Sequence, residues 1–177
     1  MKKEDMSKMF KKAKEENGLC RMFFKYDPNY FYYLPIEYNK KFFYGVEEDD
    51  FITDGFSIRK ISDLKKVELR DDKCVEFLKM ENTFANINAP QINLASWKTV
   101  FESLQKIVKY IIVRKENLDD NETDFAIGRI TKATKSSLEM KYFDADGEWS
   151  DIIIPYIGIT SVTLQSRYVA VWEKYLE

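Results

Sequence analysis

Carboxylates are the side chains of this chain best suited to chemistry, and they come in three clusters. Glu47, Glu48, Asp49 and Asp50, with Asp54 close behind, offer enough oxygen ligands for a hard divalent cation. Their spacing is not that of an EF-hand, which alternates its ligands and ends on a distant Glu, so a solvated hairpin loop is expected instead. Asp119, Asp120, Glu122 and Asp124 form a second polar loop of the same kind. Asp144, Asp146 and Glu148 have the composition of a glycosidase carboxylate pair. Asp144-Ala-Asp-Gly147 is also what a tight hairpin needs on conformational grounds, and the hairpin is the expectation. The chain contains 0 histidines, which removes Ser–His and Cys–His catalysis, His-ligated metals and the usual neutral-pH proton shuttle. Its 6 glycines never fall at the spacing of a phosphate loop. The 2 cysteines, Cys20 and Cys74, are too few for a structural zinc site and read as reduced, partly buried thiols. No catalytic set, metal or cofactor is expected.

Two further groups can bind rather than react. Between Phe23 and Tyr44 the chain carries 11 aromatic residues in 22 positions, too many for one small core. Tyr30, Tyr32, Tyr33 and Tyr38 are therefore candidates for a partner surface, where exposed rings stack or pack. Arg59, Lys60, Lys65 and Lys66, with Arg70 beside them, are candidates for a basic patch able to hold nucleic acid. The overall balance, 28 basic against 30 acidic residues, argues against a protein whose main task is gripping a polyanion.

The elements that must position these groups follow from hydrophobic period. Met6, Met9, Phe10 and Ala13 make an apolar stripe on a helix over residues 2–16, stopped at Asn17-Gly18. Short strands are predicted over 20–26, 30–36, 41–47, 56–61 and 65–69, with a turn at Asp54-Gly55, a single helical turn at 61–64 and a short helix over 71–80. Residues 81–93 lack an apolar period and hold Pro90, so the chain is expected to divide into units 1–82 and 94–177 joined by a linker over 83–93. The second unit repeats the order: a helix with Trp97, Val100, Phe101 and Leu104 on one side and Ser96 as its N-cap, then strands over 110–115, 125–133, 137–143, 149–155 and 159–164, then a helix over 168–176. Ile58, Leu64, Val67 and Leu69 align with Ile153, Ile159, Val162 and Leu164 at a constant offset.

A helix followed by about five short strands, with a helical turn before the last, is the layout of small SH3-like and Sm-like barrels, in which curling hides the strand edges. Gly128-Arg-Ile130, Leu138-Glu-Met140, Phe143-Asp144 and Gly147 resemble the first half of an Sm pattern. On the fourth strand, where Sm-like proteins carry a basic pair, this chain has Ile154-Pro155-Tyr156, so Sm-type RNA recognition does not follow from the resemblance. Asp49-Asp-Phe-Ile-Thr-Asp-Gly-Phe56 and Phe143-Asp-Ala-Asp-Gly-Glu-Trp149 are similar to stretches of uncharacterised bacterial proteins with paired small barrels. The fold expected is therefore α+β, as two tandem units, each a helix and a small curved antiparallel sheet of the Sm-like or SH3-like barrel kind.

The function expected is a non-catalytic protein-interaction module, of adaptor, inhibitor or immunity type, whose partner is another protein. The alternative is an RNA- or DNA-binding protein using a barrel face. The charged opening residues, and the absence of any apolar run long enough to span a bilayer, lead to the expectation of a cytoplasmic protein without membrane association. Oligomeric state is left open by the sequence.

Overall fold

The computed structural model describes residues 3–85, 87–116, 123–144 and 146–175. The chain divides into two compact units, 1–89 and 90–177.

In the first unit, α1 (Lys3–Glu15) precedes β1 (Cys20–Phe24), β2 (Tyr30–Tyr38), β3 (Phe42–Asp49) and β4 (Ile52–Lys60). A 3-10 turn (Ile61–Asp63) then leads to β5 (Leu64–Leu69) and α2 (Lys73–Met80). Met6, Phe10 and Ala13 of α1 are buried against Met22, Phe24, Tyr33, Phe43, Leu64 and Val67, so the helix stripe covers one face of the sheet. Asn17, at φ 48°, takes the left-handed conformation that ends α1, one residue ahead of the glycine the sequence pointed to.

The second unit runs α3 (Trp97–Ile107), β6 (Ile111–Glu116), β7 (Thr123–Ala133), β8 (Ser137–Phe143), β9 (Trp149–Pro155), a 3-10 turn (Tyr156–Gly158), β10 (Ser161–Leu164) and α4 (Arg167–Tyr175). Ser96 caps α3 by accepting the Thr99 amide, while the Thr99 hydroxyl accepts the Ser96 amide. α3 buries Trp97, Val100, Phe101 and Leu104. On α4, Val169 and Trp172 face the cluster of Tyr110, Ile112, Ile127 and Trp149, whereas Tyr168, Val171 and Tyr175 are exposed.

The two-barrel expectation is overturned. In each unit the strands form an open antiparallel sheet rather than a closed barrel, in the order β5-β1-β2-β3-β4 in the first and β10-β6-β7-β8-β9 in the second. The barrel argument assumed strands too short to support a sheet with its own cover. β2 and β4 have 9 residues each and β7 has 11, and helices such as α1 and α3 cover apolar faces that curling was expected to hide.

Within that corrected fold the two units share their register closely. The β2–β3 ladder pairs Tyr33 with Glu47 and Tyr38 with Phe43, broken by a bulge between Pro35 and Glu37. The β7–β8 ladder pairs Gly128 with Tyr142 and Ala133 with Leu138, broken between Ile130 and Lys132, each position 95 residues further on (128 less 33). Even the turn chemistry matches. Asn39 Oδ1 accepts the amides of Lys41 and Phe42, and Thr134 Oγ1 accepts those of Ser136 and Ser137. The Ile61 amide donates to Lys41 and the Tyr156 amide to Ser136, so each 3-10 turn is tied to the same loop. Ile58 and Ile153 are the aligned pair that diverges, since the first is buried and the second is 67% exposed.

Asp54-Gly55 does not form the predicted turn. Both residues sit inside β4, where the register with β3 shifts between Val46 and Glu48, and Gly55 at φ 73° makes the bulge. The chain reverses earlier, at Asp50-Phe51.

Candidate functional site

Strand alternation divides the residues of β1 and β2 between two faces. Cys20, Met22 and Phe24 point to the core, so Arg21 and Phe23 take the opposite face. Register then builds two rows on that outer face. Lys66, Phe23 and Tyr30 stand side by side, and next to them Glu68, Arg21, Tyr32 and Glu48. Rings and cations interleave: Lys66 Nζ lies 5.4 Å from the Phe23 centroid, Arg21 Cζ lies 4.7 Å from Tyr30 and 5.5 Å from Tyr32, and Arg70 Cζ lies 3.9 Å from Tyr32. Burial pushes the Tyr32 hydroxyl above its ordinary pKa, although its hydrogen bond from Arg21 works the other way.

The same face is bounded by the β3–β4 hairpin. Asp49 pairs with Ile52, and the two turn residues, Asp50 at φ 47° and Phe51 at φ 67°, are both left-handed. A two-residue turn of type I′ requires this, and Asn-Gly satisfies it without strain; a bulky residue such as Phe at the second position does not. The buried Glu48 carboxylate holds the turn by accepting the Phe51 amide at 2.8 Å. Its other oxygen accepts Arg70 Nη1 at 3.0 Å, and Arg70 Nε donates to Asp72 at 2.9 Å. Asp72 in turn caps α2 by accepting the Cys74 amide. One arginine thus links the hairpin tip, the aromatic row and the start of α2.

Together these elements enclose a cleft of about 510 Å³ lined by Tyr30, Tyr32, Phe51, Arg70, Cys74 and the acidic run Glu47–Asp50. Tyr30 is 46% exposed and Phe51 45%, and Ile52 beside it is similarly open.

The residues named from sequence are regrouped. Tyr30 and Tyr32 share the outer face with Lys66. Tyr33 lies fully buried on the inner face, as does Arg59, 3% exposed, whose guanidinium Cζ is 4.6 Å from the Phe24 centroid and 5.1 Å from that of Phe31. Tyr38 packs against Phe10 and donates to the Ser7 carbonyl of α1. Lys60 pairs with Asp63, Lys66 with Glu68, and Lys65 is exposed. The four basic positions therefore do not present one surface. Arg21, Phe23 and Phe51 were missed as site residues; the alternation in Cys20-Arg-Met-Phe-Phe24 was the signal available for the first two.

Of the other acidic clusters, Asp119, Asp120 and Glu122 lie outside the described residues. Asp124 pairs with Lys115, and Asp144 spends its carboxylate on the amides of Asp146 and Glu148 in the hairpin. Among the described residues no group of three or more cysteine or carboxylate side chains is arranged to hold a metal ion. None of their helices is long and apolar enough to cross a membrane. No protein-family model, curated protein or solved structure matches the chain.

Proposed function

We propose that this protein is a non-catalytic interaction module, of adaptor, inhibitor or immunity type, which binds another protein in the cytoplasm through the cleft of the first unit. The observation that carries this reading is the exposure of Tyr30 and Phe51 on the two sides of one cleft, with Ile52 adjoining. Rigid aromatic rings that stand half out of water contribute large contact area at little entropic cost when a partner covers them. Phe51 adds a second support, because a bulky side chain in a left-handed turn costs folding stability that a partner contact can offset. Two free thiols, Cys20 buried and Cys74 half-buried, suit a reducing compartment.

The test is a pull-down with the tagged full chain from native cytosol, with and without nuclease. A partner that survives nuclease and is lost on Tyr30→Ser with Phe51→Gly supports the reading. Capture that vanishes with nuclease and depends on Lys65 and Lys66 would overturn it in favour of nucleic-acid binding.

A further inference from the structure

The charge of the cleft narrows the chemistry of what fills it. Of the described residues that line it, four are carboxylates and one, Arg70, is a cation. Arg70 is committed on three sides: to Glu48, to Asp72 and to the face of Tyr32. Glu48 is committed to Arg70 and to the Phe51 amide. Glu47 accepts a hydrogen bond from the Tyr33 hydroxyl. Asp49 and Asp50 are exposed at the tip and make no ion pair among the described residues. The surface left for a ligand is therefore apolar at Tyr30, Phe51 and Ile52, and negative immediately beside them. A polyanion is repelled there, and an acidic or purely apolar segment leaves the carboxylates unmatched.

We infer that the cleft takes a basic segment of a partner protein, in which a Lys or Arg side chain faces Asp49 and Asp50 while an apolar neighbour packs against Tyr30 and Phe51. This rests on the protein-binding reading above and adds the chemistry of the partner. The exposed carboxylates steer the encounter and select the sign of the partner's charge, and the rings supply the buried area. The aromatic row already accepts guanidinium groups of its own chain, as Arg21 on Tyr30 and Arg70 on Tyr32 show. The inferred partner extends that pattern to the hairpin tip.

A random peptide library screened against the immobilised full chain tests this, followed by titration of the enriched peptides at low and high salt. The expected enrichment is for Lys or Arg next to an apolar residue. Affinity should fall about tenfold in the double variant Asp49→Asn with Asp50→Asn, and on raising the salt. Asn tolerates the left-handed turn, so this variant keeps the hairpin. Enrichment of acidic or uncharged peptides, basic peptides indifferent to the double variant, or no enrichment at all would each overturn the inference. Self-association of the chain that blocks the cleft would do the same, assigning the site to a second copy. If the inference fails while the nuclease-resistant partner is still lost on Tyr30→Ser with Phe51→Gly, the protein-binding reading stands with a different partner chemistry.

Discussion

Arg59 Nε donates to the Tyr33 hydroxyl at 3.0 Å, and that hydroxyl donates in turn to Glu47 Oε2 at 3.2 Å. The guanidinium also donates to Tyr26 at 3.1 Å and lies over the rings of Phe24 and Phe31. A charge buried among rings and hydroxyls is strongly coupled to what surrounds it, and removing it strands its partners.

Arg59→Ala should therefore cost about 3 kcal/mol, read as a lower urea midpoint of the full chain. Arg59→Met, which keeps the volume against the rings, should cost less. A change under about 0.5 kcal/mol for Arg59→Ala would show that the cage does not exist in solution. Charge reversal at Arg59 reports on folding, so a nucleic-acid test belongs on Lys65 and Lys66 alone.

Phe51→Gly should move stability and binding in opposite directions. Glycine relieves the left-handed strain and should raise stability by about 1 kcal/mol. The same change removes a ring from the cleft and should weaken partner binding. A thermal melt beside a binding titration decides it; a loss of stability would mean that Phe51 packs in the turn rather than being strained there.

Gly128 in β7 lies opposite Tyr142, and an added Cβ would stand 2.0 Å from the Lys141 carbonyl oxygen and 2.7 Å from Tyr142 Cα. Backbone cannot retreat as a flexible side chain can. Gly128→Ala should thus destabilise by about 3 kcal/mol, while Gly18→Ala, whose added Cβ would lie 3.8 Å from the Ala13 backbone, should cost little. Denaturant midpoints of the two variants compare directly, and equal costs would contradict the close approach at β8.

Burial raises the Cys20 thiol from 9.0 to about 12, and burial with help from Glu102 raises the Tyr156 hydroxyl from 10.0 to about 12. Both groups are neutral when protonated, so the folded state holds their protons to higher pH than the unfolded chain does. Their contribution to stability is complete below about pH 9 and is lost as pH climbs towards about 12. The urea midpoint should fall across that window, and less steeply in Cys20→Ala. At pH 8 a thiol reagent should label Cys74 in the native protein and reach Cys20 only after unfolding. Rapid native labelling of both would contradict the burial.

Local order was legible in the residues themselves. The stripe Met6, Phe10, Ala13 specifies α1, Ser96 specifies the start of α3, and the turn at Ile61 and its counterpart at Tyr156 follow from how the apolar residues on either side are spaced. These signals are legible because period, caps and turns depend on neighbours within a few positions. The corresponding registers 95 residues apart rest on the same local chemistry, Asn39 in one loop and Thr134 in the other.

What tertiary structure alone decided is which faces are covered. Phe56-Ser-Ile-Arg59 alternates as though Arg59 faced water, yet all four residues are buried, because burial of a strand's second face depends on chain far away in sequence. Gly55 permits a left-handed residue, but whether that serves a turn or a bulge depends on pairing with β3. The choice between closed barrels and open sheets is non-local in the same way, since no short stretch of residues records whether the edges of a sheet meet. Nor does the sequence bring Tyr30, Asp50, Phe51 and Arg70 to one cleft; strand register and the reach of a single guanidinium do that.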